Sequence, residues 1–118
     1  MAYTFKDIKV WQKSHALVLE VYKVTRNFPD SEKYGLVSQI GRSAASIATN
    51  IVEGYKRQSG KDFAHFLNMA DSSLEETKYH LLLARDLHYM NKIEHDRFLA
   101  LIEEIGRMLY GFQKKLTA

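Results

Sequence analysis

Apolar residues along this chain recur every three to four positions, and no stretch alternates as a half-buried strand does. The recurrence breaks at Phe28-Pro29-Asp30-Ser31, a turn by composition. It breaks more weakly at Gly54-Tyr55-Lys56-Arg57-Gln58-Ser59-Gly60 and at Tyr89-Met90-Asn91. Four helices are therefore predicted. The first, over about residues 7–26, aligns Trp11, His15, Val18 and Tyr22 as its core face. The second, over about 32–54, aligns Leu36, Ile40, Ala44, Ile47 and Ile51. Ser59-x-x-Asp62 resembles a capping box and opens the third, whose stripe is Phe63, Phe66, Leu67, Ala70, Leu74, Thr77, Leu81 and Ala84. Asn91-x-x-Glu94 is a second cap signal, and the fourth helix lines up Phe98, Ile102, Ile105, Leu109, Phe112 and Leu116. Amphipathic helices joined by short loops predict an all-α, antiparallel up-and-down four-helix bundle, one domain over residues 1–118.

Two of these helices are apolar on more than one side. Leu81, Leu82 and Leu83 must point in three directions, and Met69, Leu83 and Leu87 fall away from the Phe63–Leu81 stripe. The first helix adds Val10, Leu17 and Val24 beside its expected core face. A monomeric bundle needs one stripe per helix, so the second stripe predicts a subunit interface. A broad core arc with scattered exposed leucines is the other reading. The small residues from Arg42 to Gly54 let neighbouring backbones approach the second helix closely.

Composition narrows the setting. Of the 118 residues, 46% are hydrophobic and 26% charged, with no cysteine. That excludes a disulfide framework or thiolate metal site and points to the cytoplasm. Met1-Ala2-Tyr3-Thr4-Phe5-Lys6 lacks the apolar core of a signal peptide, and no segment is long enough to span a membrane. The net charge is only +3, but residues 1–61 hold ten Lys/Arg against five Asp/Glu. Up-and-down topology gathers Lys6, Lys9, Lys13, Lys56, Arg57, Lys61, Lys114 and Lys115 at one end, facing only Asp7, Glu53 and Asp62. Cations at helix C-termini complement the dipole, which accounts for Lys56, Arg57, Lys114 and Lys115. It does not account for Lys6, Lys9 and Lys13 at the start of a helix. Eight cations against three acids leave that end at +5, an attractor for phosphates. Tyr3, Phe5 and Tyr55 lie close enough in sequence to stack on exposed bases. The pole is thus either a polyanion-binding surface or a solubilising face.

Gln39, Arg42, Ser43, Ser46, Asn50 and Glu53 form a polar stripe on the second helix. Small hydroxyls and one amide suit a close helix contact better than a phosphate clamp. Arg42 and Glu53 are too far apart to pair with each other. Catalytic chemistry is not expected. Glu-x-x-His is absent, Asp62-x-x-His65 is its nearest approach, and His65, His80, His88 and His95 scatter over different faces. Neither a metal nor another cofactor is therefore predicted. His15 and His88 fall on core stripes, and Glu75 and Glu76 diverge on their helix.

Three fragments occur in order: Phe5-x-x-Ile8-x-Val10-Trp11-Gln12, Phe28-Pro29-x-x-Glu32-x-Tyr34-Gly35-Leu36-x-x-Gln39-Ile40 and Ser46-Ile47-x-x-Asn50-Ile51-x-Glu53-Gly54. Together they resemble the 23S rRNA intervening-sequence protein family, from about Phe5 to Phe112. The resemblance implies a left-handed bundle and a ring-shaped homopentamer. Some family members are encoded within insertions in ribosomal RNA genes. A related branch resembles the accessory protein of diversity-generating retroelements, a basic pentamer that partners a reverse transcriptase and binds nucleic acid. Gly41 stands where the pattern usually has a basic residue, which counts against nucleic-acid contact through that helix. Ala48 replaces a frequent proline, and Ala70-Asp71-Ser72-Ser73 replaces an Ala-x-Gly-Ser pattern. The expected function is a non-catalytic oligomeric module that binds RNA or single-stranded DNA through the basic pole, with Tyr55 among its cations. The alternative is a protein-interaction scaffold or accessory subunit, with a reverse transcriptase or another protein as client.

Overall fold

Buried side chains spaced three and four apart hold four helices together in the computed structural model, which describes residues 3–118. Met1 and Ala2, the start of the N-terminal segment read above, lie outside the described residues. The helices are α1 (Lys9–Thr25), α2 (Leu36–Tyr55), α3 (Gly60–Asp86) and α4 (Lys92–Thr117). Short 3-10 turns at Phe5–Asp7 and Asp30–Glu32 precede α1 and α2, and no strand occurs among the described residues.

The helix boundaries follow local chemistry. Asn91 and Glu94 form a reciprocal capping box at α4. Ser59 accepts from the Asp62 N–H at 3.1 Å and so opens α3. α2 begins at Leu36 rather than near 32 because Pro29 starts a 3-10 turn, and the Glu32 carboxylate then accepts from the Leu36 N–H at 3.2 Å. α3 closes with the Tyr89 N–H on the Ala84 carbonyl at 2.9 Å and His88 left-handed at φ 64°.

α2 packs along α3 most intimately, α4 lies against α3, and α1 bridges α2 and α4, with the α1–α4 seam the loosest. The body measures 43 × 24 × 21 Å. At one end Gln113 Nε2 donates to the Ala64 carbonyl at 3.2 Å, and Tyr55 Oη donates to the Tyr3 carbonyl at 2.7 Å. These contacts set the segment before α1 against the end of α2, and the start of α3 against the end of α4. At the other end Tyr89 Oη donates to Glu32 at 2.8 Å, and Phe28 packs against the Tyr89 ring at 5.5 Å.

The expected stripes of α2 and α4 are the ones that face the core, and on α3 Leu67, Ala70, Leu74, Thr77, Leu81 and Ala84 do so. α1 differs. Its buried face is Val10, Ser14, Leu17, Val21 and Thr25, whereas His15 and Tyr22 are exposed and Trp11 and Val18 only half-buried. Ser14 donates to the Val10 carbonyl at 2.7 Å and Thr25 to the Val21 carbonyl at 2.9 Å. Each hydroxyl is therefore satisfied inside its own helix and can be buried. Val10 and Leu17, expected on a second stripe, are core residues. The second apolar face of α1 is instead the Trp11–Val18–Tyr22 side, with Leu19 beside it. On α3, Met69 and Leu87 are exposed, while Leu83 is half-buried against the core. His88, expected on a core stripe, lies past the end of α3 and is exposed.

Candidate nucleic-acid interface

Lys6, Lys9, Lys13, Lys56, Arg57, Lys61, Lys114 and Lys115 are all exposed, as side chains kept for solvent or a ligand must be. They lie in or beside the start of α1, the α2–α3 connection with the start of α3, and the end of α4. The positions are not equivalent. Lys6 sits in the 3-10 turn before α1, so it does not share a helical face with Lys9 and Lys13. That turn is closed by Asp7, whose carboxylate accepts from the Thr4 N–H at 2.7 Å. Ile8 caps α1 without a side-chain acceptor, and no acid occupies the first turn of that helix.

Three of the cations are already engaged. Lys13 reaches Glu104 of α4 at 3.3 Å, an acid beyond the three expected to face these cations. Arg57 lies 4.4 Å over the Phe66 ring and Lys114 5.1 Å over Tyr110. Lys6, Lys9, Lys56, Lys61 and Lys115 form no ion pair among the described residues. Of the three expected stacking aromatics, Phe5 is turned edge-on to Trp11 at 4.9 Å and Tyr55 is tethered to Tyr3. Tyr3 remains exposed, with its ring 6.2 Å from that of Tyr55. It stands by an open groove between α1 and α4 that Ile8, Lys9, Met108, Phe112 and Lys115 also line.

The α2 stripe divides into a buried seam and an exposed edge. Thr77 Oγ1 donates to Ser43 Oγ at 2.8 Å, and His80 Nδ1 lies 3.4 Å from the same oxygen. Ser46 and Ser73 share a hydrogen bond of 2.9 Å, and Asn50 Nδ2 donates to the Ser46 carbonyl at 2.9 Å. The Ser43, Ser46, Ser73, Thr77 and His80 groups join α2 to α3, whereas Asn50 bonds only within α2. Gln39, Arg42 and Glu53 stay exposed, and neither Arg42 nor Glu53 has an ion-pair partner among the described residues. Gly41, where a basic residue was expected by resemblance, is covered by the Tyr22 ring.

Titration is perturbed away from the basic end. The hydrogen bond from Lys92 holds the Asp96 carboxyl below its ordinary range. Donation to Glu32 raises the Tyr89 phenol, and partial burial with Glu75 nearby raises the Asp71 carboxyl. No group of three or more His, Cys, Asp or Glu among the described residues could hold a metal ion. No helix there is long and apolar enough to cross a membrane.

Comparison with known proteins gives a family and a fold. The family model described as "23S rRNA-intervening sequence protein" matches residues 6–111. A crystal structure from Bacteroides thetaiotaomicron, of a protein of unknown function from the S23 ribosomal protein family, is similar with a TM-score of 0.79 and 30% identity. The match covers 89% of this chain and 98% of that one. No curated protein is significantly similar. Neither description names a reaction.

Proposed function

The chain belongs to the 23S rRNA-intervening sequence protein family, and on that footing we propose that it is a non-catalytic, cytoplasmic, homo-oligomeric module that binds RNA through its basic end. The carrying observation is the group of exposed, unpaired Lys6, Lys9, Lys56, Lys61 and Lys115 at one end of the molecule. Surface lysines of this kind recognise phosphate charge rather than base identity. The names rRNA-intervening sequence and S23 ribosomal protein make RNA the first polyanion to try, ahead of single-stranded DNA. The helices form an antiparallel, left-handed up-and-down bundle in this reading, and the helix-end contacts described above support the alternation. A pentameric ring would set five basic ends side by side.

Fluorescence anisotropy with a labelled ten-nucleotide uridine RNA tests the reading. Affinity is expected to fall steeply as salt rises. It should also fall in a variant with Lys6→Glu, Lys56→Glu and Lys61→Glu, whose side chains form no ion pair among the described residues. Absence of binding at low salt, or binding indifferent to salt, overturns it. A second reading is favoured by the exposed apolar residues of α1 and α3: a scaffold whose outer helix faces hold a protein client such as a reverse transcriptase. In that case client capture survives the charge reversal.

A further inference from the structure

The loose seam between α1 and α4 holds two grooves, with the Lys13–Glu104 bridge between them along the helices. The groove of about 300 Å³ has Glu20 and Glu94 beside Lys23 and Arg97, so its charges offset one another, and Glu94 is already used in the cap of α4. The groove of about 460 Å³ lies at the basic end and is differently made. Buried Ile8 and half-buried Met108 and Phe112 form its apolar floor, and exposed Tyr3, Lys9 and Lys115 stand around it. Asp7 is the one acid there, and its carboxylate is bound to the Thr4 N–H at 2.7 Å.

Gly111 adds an independent observation. It sits inside a 26-residue helix, where glycine is unfavourable relative to alanine, yet a β-carbon there would meet nothing within 4 Å. Packing therefore does not explain the glycine. What it does is keep the wall of the groove low and let another molecule approach the α4 backbone. Met108, Gly111, Phe112 and Lys115 fall on one face of α4, so aromatic, gap and cation are in register.

We propose that this groove is a slot for one unstacked base of a single-stranded RNA, with an adjoining phosphate held between Lys9 and Lys115. The proposal rests on the reading that the basic end binds RNA, and names where a base enters. An apolar floor that includes the Phe112 ring, with the Tyr3 ring and two cations standing around it, complements a nucleotide, which is itself a flat ring tied to an anion. The volume lies within the range of small-ligand sites. Bases stacked inside a duplex cannot enter, so single strands are preferred.

The test compares wild type with Gly111→Leu, using the labelled uridine decamer and the same sequence annealed to its complement. Leucine fills the slot and is a better helix former than glycine. The variant is expected to melt no lower than wild type, keep its light-scattering mass and bind the single strand about tenfold or more weakly, as the loss of one stacked base implies. Wild type should prefer the single strand to the duplex. Unchanged affinity in Gly111→Leu overturns the slot alone, provided charge reversal at Lys6, Lys56 and Lys61 still weakens binding. A change of mass makes the groove a contact between copies of the chain and also overturns it. Failure of wild type to bind the decamer removes the basic-end reading and the slot together. Should the variant not fold, irradiating wild type with a 5-bromouridine decamer decides: adducts on Tyr3, Met108 or Phe112 support the slot, and adducts confined elsewhere refute it.

Discussion

His88 ends α3 in the left-handed region at φ 64°, where a β-carbon crowds the following carbonyl oxygen. Its amide still donates to the Arg85 carbonyl at 2.9 Å, so the closure is sound although the residue is not the one chain sterics favour. His88→Gly is expected to raise stability by about 1 kcal/mol, read as a higher urea midpoint at constant slope. An unchanged midpoint would mean that the strain is relieved elsewhere. The glycines make a sharper contrast. A β-carbon on Gly60 would lie 2.6 Å from the Leu116 carbonyl oxygen, a backbone atom that cannot swing aside. Gly60→Ala should therefore cost about 1–3 kcal/mol by forcing the start of α3 away from the end of α4. Gly111→Ala, with open space around it, should stabilise by up to about 1 kcal/mol. Denaturation midpoints should rank Gly111→Ala above wild type and wild type above Gly60→Ala, and the reverse order would contradict the packing described.

Between elements, the α2–α3 seam combines close approach with buried hydroxyls. Thr77→Val keeps the volume and removes the donor to Ser43, which should cost about 1 kcal/mol. Ser43→Ala and Thr77→Val together should cost less than their sum, since one hydrogen bond is removed twice; strict additivity in the double-mutant cycle would sever the two groups. The clamp of Tyr89 on Glu32 joins the α3–α4 connection to the turn before α2. Its phenol is raised by that hydrogen bond, so folding favours the protonated form. The contribution is fully present below the ordinary phenol pKa and is lost as pH rises from there through the raised value of the folded state. The stability gap between wild type and Tyr89→Phe should accordingly close on the alkaline side, and a gap independent of pH would refute the linkage. The same elements show what the amino-acid order makes legible. The stripes of α2 and α4 stand out because Leu36, Ile40, Ala44, Ile47 and Ile51 on one, and Phe98, Ile102, Ile105 and Leu109 on the other, recur at helical spacing and are all buried. The seam was readable too, since Ser43, Ser46 and Asn50 suit contact better than phosphate. α1 was misjudged because Ser14 and Thr25 occupy two of its five buried positions, while the outward face carries Trp11 and Tyr22. Apolar counting chooses the aromatic side, and only the i to i−4 hydroxyl bonds make the other side buriable. At the basic end the cations were legible one by one. Their partners Glu104, Phe66 and Tyr110 were not, because pairing across helices depends on rotation about each axis.

For the whole molecule the decisive quantity is how many copies act together. As a single chain it leaves Leu19 57%, Tyr22 53%, Leu87 44% and Met69 38% exposed, on the outer faces of α1 and α3. Tyr22 also covers Gly41 of α2, but none of the four belongs to the basic end, so assembly and binding can be varied separately. Light scattering is expected to give a multiple of the 13.7 kDa chain mass. Leu19→Glu with Tyr22→Glu, or Met69→Glu with Leu87→Glu, should reduce it to one chain while helix content is retained. Charge then supplies the link to function. For a single strand the slope of log affinity against log salt is about −0.7 per phosphate neutralised, so five free lysines on one chain limit it to about −3.5. Adjacent basic ends in an oligomer would engage more phosphates of one long RNA and steepen that slope. A dissociated variant should fall back to the shallower value and lose affinity for long RNA far more than for the decamer. If wild type itself scatters as one chain, or if dissociation leaves the slope on long RNA unchanged, each molecule binds alone and the ring contributes nothing to recognition.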